Sequence, residues 1–207
     1  MARLRKKDHQ VDVEVPVEAE PDVRHRGPWD ASEKNVEDDP AYVDFGALLI
    51  RGQEGFSLQV PTDGESIAAI MLVTDDAALE LRVFAATRSG GLWDEVRTEL
   101  AEEVERVDGT VETVPGPYGT ELHVSVPVQL PSGEDGFQPS RVTGIEGPRW
   151  LLRATFLGEA ALNPRDDGLL MDALRDVVVV RGEEARIPRE PLNLTLPDNA
   201  VVLPDQE

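Results

Sequence analysis

Nucleophiles and bases of the usual catalytic kinds are few in this sequence, and they are scattered. There are three histidines, His9, His25 and His123, and no cysteine. Without cysteine, disulfides, thiolate catalysis and Cys-ligated zinc or iron–sulfur sites are excluded. His9 and His25 fall in an acidic N-terminal stretch, and His123 falls on the outward face of an alternating strand. Neither a histidine triad nor a His-rich metal site is expected from that placement. Carboxylates are plentiful, so pairs prove little, and those weighed as sites are Asp75–Asp76, Glu134–Asp135 and Asp166–Asp167. None has EF-hand spacing, and turn and helix-cap chemistry accounts for each. No glycine-rich dinucleotide loop, phosphate loop or nucleophile elbow is present. The sequence therefore assigns no catalytic residue, no metal ligand and no cofactor.

What remains is suited to recognition. Arg149 and Arg153 flank Leu151 at strand spacing and are expected to share one face, where two guanidinium groups could hold a phosphate or carboxylate. Cross-strand pairing with the many acids is the plainer use of the same two residues. A Gly-Pro turn followed by an aromatic recurs at Gly27-Pro28-Trp29, Gly116-Pro117-Tyr118 and Gly147-Pro148 with Trp150 just beyond. Trp29 offers a large apolar area in surroundings that have little else. It is expected either to dock on its own domain or to serve as a recognition motif, with Asp30, Ser32 and Glu33 able to cap a single turn. The candidate partner-binding residues are Trp29, Asp30, Tyr118, Arg149 and Arg153.

The elements that must position these residues follow from composition and periodicity. The 207 residues carry a formal net charge of -21, with 40% apolar and 29% charged residues. That suits one soluble domain with a tail and disfavours direct binding to nucleic acid or to anionic lipid. No apolar run reaches the length of about 18 residues that a membrane-spanning helix needs. The basic start at Arg3, Arg5, Lys6 and Lys7 has no apolar segment after it, so it reads as a solvated terminus rather than a secretion signal. The expected location is cytoplasmic.

Residues 1–40 read as a disordered acidic tail, because like charges are dense and Pro16 and Pro21 interrupt the valines. Residues 41–187 read as a single domain and 188–207 as an extended, proline-rich C-terminal tail, partly ordered through Leu192, Leu194 and Leu196. Within the domain, 42–50 and 56–60 read as strands. The all-apolar stretch 67–73 reads as a central strand buried on both faces. Leu92, Trp93, Val96, Leu100, Val104 and Val107 fall on one face of a helix that follows Gly90-Gly91. Pro127 marks 120–130 as an edge strand. Residues 140–146 and 149–157 form a pair around Gly147-Pro148. Asn163 and Pro164 predict the start of a second helix, and Val177–Val180 a last buried strand. The fold class is α+β: a twisted, mostly antiparallel sheet of about seven to nine strands covered by two helices.

Three segments, R-G-P-W-D-A-S-E, G-G-L-W-D-E-V-R and R-V-T-G-I-E-G-P-R-W-L-L-R-A-T-F, together with the C-terminal V-V-V-V-R-G-E-E-A-R-I-P-R-E-P-L-N-L-T-L-P, resemble an actinobacterial family of uncharacterised proteins, domain of unknown function 3710. The resemblance implies no activity and transfers no catalytic residue. At the level of fold, G-P-R-W-L-L-R-A-T-F-L-G, a short helix and V-V-V-V look like the last half of Mog1/PsbP-like domains, which are helix-covered antiparallel sheets acting mostly as accessory modules. The leading expectation is a non-catalytic cytosolic module that binds a protein partner of unknown identity through Trp29 and the Gly-Pro-rimmed sheet face. Two alternatives stand beside it. One is a divalent-metal-dependent enzyme of nucleotide or phosphoester metabolism, with Arg149 and Arg153 as its anion clamp. The other is a small-ligand carrier with a pocket between sheet and helix.

Overall fold

The computed structural model describes residues 24–63, 66–130 and 133–197. The basic start, His9 and the acidic tail through residue 23 lie outside the described residues. In chain order the elements are β1 (Trp29–Asp30), β2 (Tyr42–Asp44), β3 (Leu48–Arg51), β4 (Ser57–Gln59), β5 (Thr62–Asp63), β6 (Ser66–Ile67), β7 (Ile70–Val73), β8 (Ala77–Ala85) and α1 (Leu92–Arg106). There follow β9 (Thr110–Gly116), β10 (Gly119–Gln129), β11 (Asp135–Gly147), β12 (Trp150–Gly158), α2 (Glu159–Leu162), α3 (Leu169–Asp176) and β13 (Val178–Val179).

Seven strands form an antiparallel sheet in the order β4-β7-β8-β12-β11-β10-β9. A smaller sheet, β1-β13-β3-β2, packs with α3 on one face of it, and β5 and β6 pair separately. The architecture is α+β, as the sequence predicts, but the second layer is a sheet as well as helices. The main core lies between the two sheets, where Trp150, Leu152, Ala154 and Phe156 of β12 meet Leu48, Ile50, Leu174 and Val179. On the opposite face α1 lays Leu92, Trp93, Val96, Leu100 and Val104 over Leu122, Val124, Val142 and Leu151. Val107, counted in that stripe from the sequence, lies past the helix end and is exposed. Two polar contacts seat α1. The Glu146 carboxylate of β11 accepts hydrogen bonds from the Gly91 and Trp93 backbone N–H groups at 2.9 and 3.0 Å, capping a helix whose own N-cap has no side chain. Gly144 leaves the space that the Trp93 ring occupies, for a Cβ there would collide with it.

Several sequence expectations are corrected. Residues 24–40 are not a tail. Trp29 and Asp30 pair in parallel with Val178 and Val179, and Gly27 adopts φ +84 where a Cβ would strike the Arg175 carbonyl oxygen. The segment is held by backbone pairing rather than by large apolar residues, so composition alone reads it as unfolded. The C-terminal stretch, read as extended and partly ordered through its leucines, packs Leu192 and Leu194 on the core, and residues 198–207 lie outside the described residues. Leu192 N–H donates to the Val83 carbonyl at 3.0 Å, Ala85 N–H donates to that of Glu190 at 2.8 Å, and Arg189 reaches Glu95 and Glu99 of α1 at 2.7 Å. The apolar run 67–73 is not central. β7 lies next to the edge strand β4, and of the run Ala69, Ile70 and Leu72 are buried, since α1 covers the β9–β11 half of the opposite face and leaves Met71 and Val73 half-open. Strand β10 is an edge only beyond Ser125, where β9 ends, which is where Pro127 sits. The second helix begins at Leu169. Asn163 closes the short α2 instead, its amide donating to Glu159 at 2.6 Å, while Arg175 holds the Asp166 carbonyl at 2.6 Å and keeps the intervening loop out of the helix. Among the described residues no helix is long and apolar enough to cross a membrane.

Candidate functional site

The five candidate residues do not assemble into one open surface. Asp30 is buried. Its Oδ2 accepts a 2.8 Å hydrogen bond from the Trp150 indole, and its Oδ1 accepts from the Ser32 N–H and hydroxyl at 2.9 and 2.6 Å. Glu33 accepts from the Asp30 N–H at 2.8 Å, which is the reciprocal cap that the sequence suggests, and Arg24 grips Glu33 through both terminal nitrogens at 2.9 and 3.0 Å. Burial pushes the Asp30 pKa upward, yet the hydrogen bonds from Ser32 and Trp150 and the charge of Arg24 outweigh it and leave the carboxyl below its ordinary value. Trp29 is half-buried beside Lys34, whose ammonium lies 5.9 Å from its ring centroid. The Trp29 segment thus docks on its own domain.

Arg149 does not share a strand face with Arg153. Gly147 pairs with Trp150, so Pro148 and Arg149 are the two turn residues, and Arg149 carries φ +65. Arg153 lies on the α1 side of the sheet, 3.9 Å from Glu80 and cross-strand from Arg82, which itself pairs with Glu80 at 2.8 Å. At 3.9 Å that is an ion-pair distance without a hydrogen bond, and the Arg153 Nε is unpartnered among the described residues. Tyr118 is buried in the main core with an unpartnered hydroxyl. Burial pushes its phenol up to about 12, against the positive charges of Arg175 and Arg26. A folded-state value above the ordinary 10.0 means a stabilising contribution that is complete below pH 10 and lost as pH rises through the folded value. An absorbance titration should show the Tyr118 phenolate only as pH approaches 12, and Tyr118→Phe should delete that step. A Tyr118 titration near pH 10 would contradict its burial.

A second arginine with an unpartnered Nε, Arg141, is buried more deeply than Arg153. Arg141 of β11 projects onto the inter-sheet side, the face of Thr143 and Ile145, and its side chain is 4% exposed. Its guanidinium stacks on Phe156 at 4.1 Å. Among the described residues it makes no hydrogen bond. The Glu121 carboxylate stands 3.8 Å from one terminal nitrogen, and Nε is unpartnered. Burial pulls the Arg141 pKa down against the opposing pull of Glu121 and Asp166. Glu121 is also buried and is shared with His123, whose Nε2 lies 2.9 Å from Oε1. Thr143 Oγ1 and the Tyr118 hydroxyl, on the same side of the sheet, are two more of the six buried side-chain atoms that lack a partner among the described residues.

Arg141 borders two cavities. The larger, about 540 Å³, is floored by Arg141 and Phe156 and walled by the β7–β8 turn, α2 and the start of α3. The smaller, about 270 Å³, holds Glu121, His123, Pro164 and Asp166. Such a volume accommodates a small organic ligand, and a desolvated guanidinium is suited to hold its carboxylate or phosphate. Sequence reading misses this cluster because Glu121 and His123 alternate with Leu122 and Val124, which makes theirs the polar face. The signal is on the neighbouring strand, where Ile145 shares the face of Arg141 and marks it as interior.

Fold and site together define a two-sheet α+β domain with a buried, underpartnered arginine opening on a cleft. The chain belongs to the family described as Protein of unknown function (DUF3710), whose model matches residues 27–202. The matched region opens at Gly27 and so includes the Trp29 segment as part of the domain. No curated protein matches the sequence. A crystal structure from Bacteroides thetaiotaomicron VPI-5482 is similar over 69% of this chain and 48% of that one, at 14% identity and a TM-score of 0.40. The chain spans about half the length of that protein, and a likeness this distant carries no functional argument.

Proposed function

We propose that this protein is a non-catalytic binding module that takes a small ligand with an anionic head, a carboxylate or phosphate, into the cleft floored by Arg141. One observation carries the reading. The Arg141 side chain is buried yet makes no hydrogen bond among the described residues, while its face borders a cavity of about 540 Å³. A buried guanidinium that has an ion-pair neighbour but no hydrogen bond is costly unless something completes its hydrogen bonding, and a ligand anion would do so. The partner-protein reading rests on Trp29, which is half-buried and paired with Val178, and two further residues offered for it, Asp30 and Tyr118, are buried. For a metal-dependent phosphoester enzyme, acids must gather at one point. Among the described residues no group of three or more His, Asp or Glu side chains does so.

The test is thermal unfolding with inorganic phosphate and with short carboxylates. A ligand at a hundred times its Kd should stabilise the wild type by about 2.7 kcal/mol and leave the double variant Arg141→Met/Glu121→Gln unmoved. Equal stabilisation of both proteins, or of neither, would refute the assignment.

A further inference from the structure

The charges around the larger cavity are divided between its ends. Arg141 lies on β11, and the β7–β8 turn, with Asp76, lies at the end of β8, two strands away across β12. Two strand spacings amount to about 10 Å of sheet. Glu159 N–H donates to the Asp76 carbonyl at 3.0 Å, which joins the start of α2 to that turn and brings Asp76 and Glu159 to the same end of the cavity. Neither carboxylate has an ion-pair partner among the described residues. Asp76 accepts from the Thr74 hydroxyl at 3.1 Å, and Glu159 from the Asn163 amide at 2.6 Å. The remaining rim charges neutralise each other, Arg165 pairing with Asp167 at 3.3 Å. Between the two ends the wall is apolar, made by Phe156, Leu170, Met171 and Ala77. The cavity is thus cationic at its buried end, apolar in its middle and anionic at its exposed rim.

We propose that the ligand has the complementary polarity: a carboxylate joined through an aliphatic stretch to an ammonium or guanidinium group. The proposal rests on the Arg141 reading for its anionic end and adds the cationic end. A simple anion is repelled by the rim as it enters, whereas a dipolar ligand is attracted at both ends. In a chain of net charge -21, the rim also draws the cationic group inward from a distance.

Three probes of one carbon skeleton, aminocaproate, hexanoate and hexylamine, separate the contributions by isothermal titration. Aminocaproate is expected to bind the wild type about fivefold or more tighter than hexanoate, the scale of one or two exposed ion pairs. Hexylamine should bind weakest, because it has nothing to offer Arg141. In Asp76→Asn/Glu159→Gln, whose substitutions lie on the exposed rim, aminocaproate should fall to the level of hexanoate while hexanoate holds or improves. Hexanoate binding as tightly as aminocaproate to the wild type, with both lost in Arg141→Met/Glu121→Gln, would overturn the dipolar ligand and leave the anion site standing. An aminocaproate advantage that persists in the rim variant would overturn it too. Hexylamine matching aminocaproate, or none of the three binding, would overturn the Arg141 reading itself and this proposal with it.

Discussion

Replacing Trp150 with alanine should lower the stability of this protein by about 3–5 kcal/mol, among the largest effects of any single substitution in its core. Trp150 has no exposed surface and joins three parts of the molecule. Its ring packs within the inter-sheet core, the Arg24 guanidinium lies 5.3 Å from its centroid, and its indole N–H is the donor to the buried Asp30 carboxylate at 2.8 Å. Truncation therefore opens a cavity and also strands a buried charge. For a chain of this size the loss corresponds to a fall in Tm of about 6–20 °C. Asp30→Ala should cost less, about 1–3 kcal/mol, because it opens no large cavity: the indole loses its acceptor, and the Ser32 N–H and hydroxyl, on an exposed residue, can turn to water. The two substitutions share one bond, so their combined cost should be smaller than the sum of the two. An unchanged Tm in Trp150→Ala would contradict the position of Trp150 and the docking of the N-terminal segment together.

The second large effect is expected at the candidate site. Arg141→Met alone leaves Glu121 buried with only His123 beside it, and removing one member of a buried ion pair costs about 3–5 kcal/mol. Adding Glu121→Gln removes the stranded charge and should recover most of that loss, because replacing both members of such a pair is close to neutral. Chemical denaturation of the two single variants and the double variant measures the recovery directly. A double variant as unstable as the sum of the singles would mean that Glu121 and Arg141 do not act as a pair. The 3.8 Å separation makes the pair a loose one, which is why the arginine keeps hydrogen-bonding capacity for something else.

Much of the fold is legible in the sequence because its signals are local. The α1 stripe, the hairpin around Gly147-Pro148 and the doubly buried Val178–Val179 each declare themselves within a dozen residues. Three things do not. Residues 24–40 order through pairing with a strand nearly 150 positions later in the chain, which no composition window detects. The stretch 67–73 is apolar throughout, yet half of its sheet face is left open because α1 covers only the other end of the sheet. The site itself depends on the loop and helices of residues 159–171 folding over a polar strand face, so Glu121 and His123 read as surface residues until that covering is in place. Arg149 and Arg153 show the same limit in reverse: their spacing suggests a clamp, and a two-residue turn places them apart.

The most direct measurement is the nitrogen–proton spectrum of the arginine side chains, with the Arg141 Nε–H resonance assigned from Arg141→Lys and followed while a short carboxylate is added. That N–H is buried and unpartnered without ligand. If the cleft binds anions, the Arg141 resonance should move in a saturable way while those of ion-paired Arg24 and Arg189 stay still. An Arg141 resonance that does not move up to millimolar carboxylate, or that moves only as much as the exposed arginines do, would contradict the anion site.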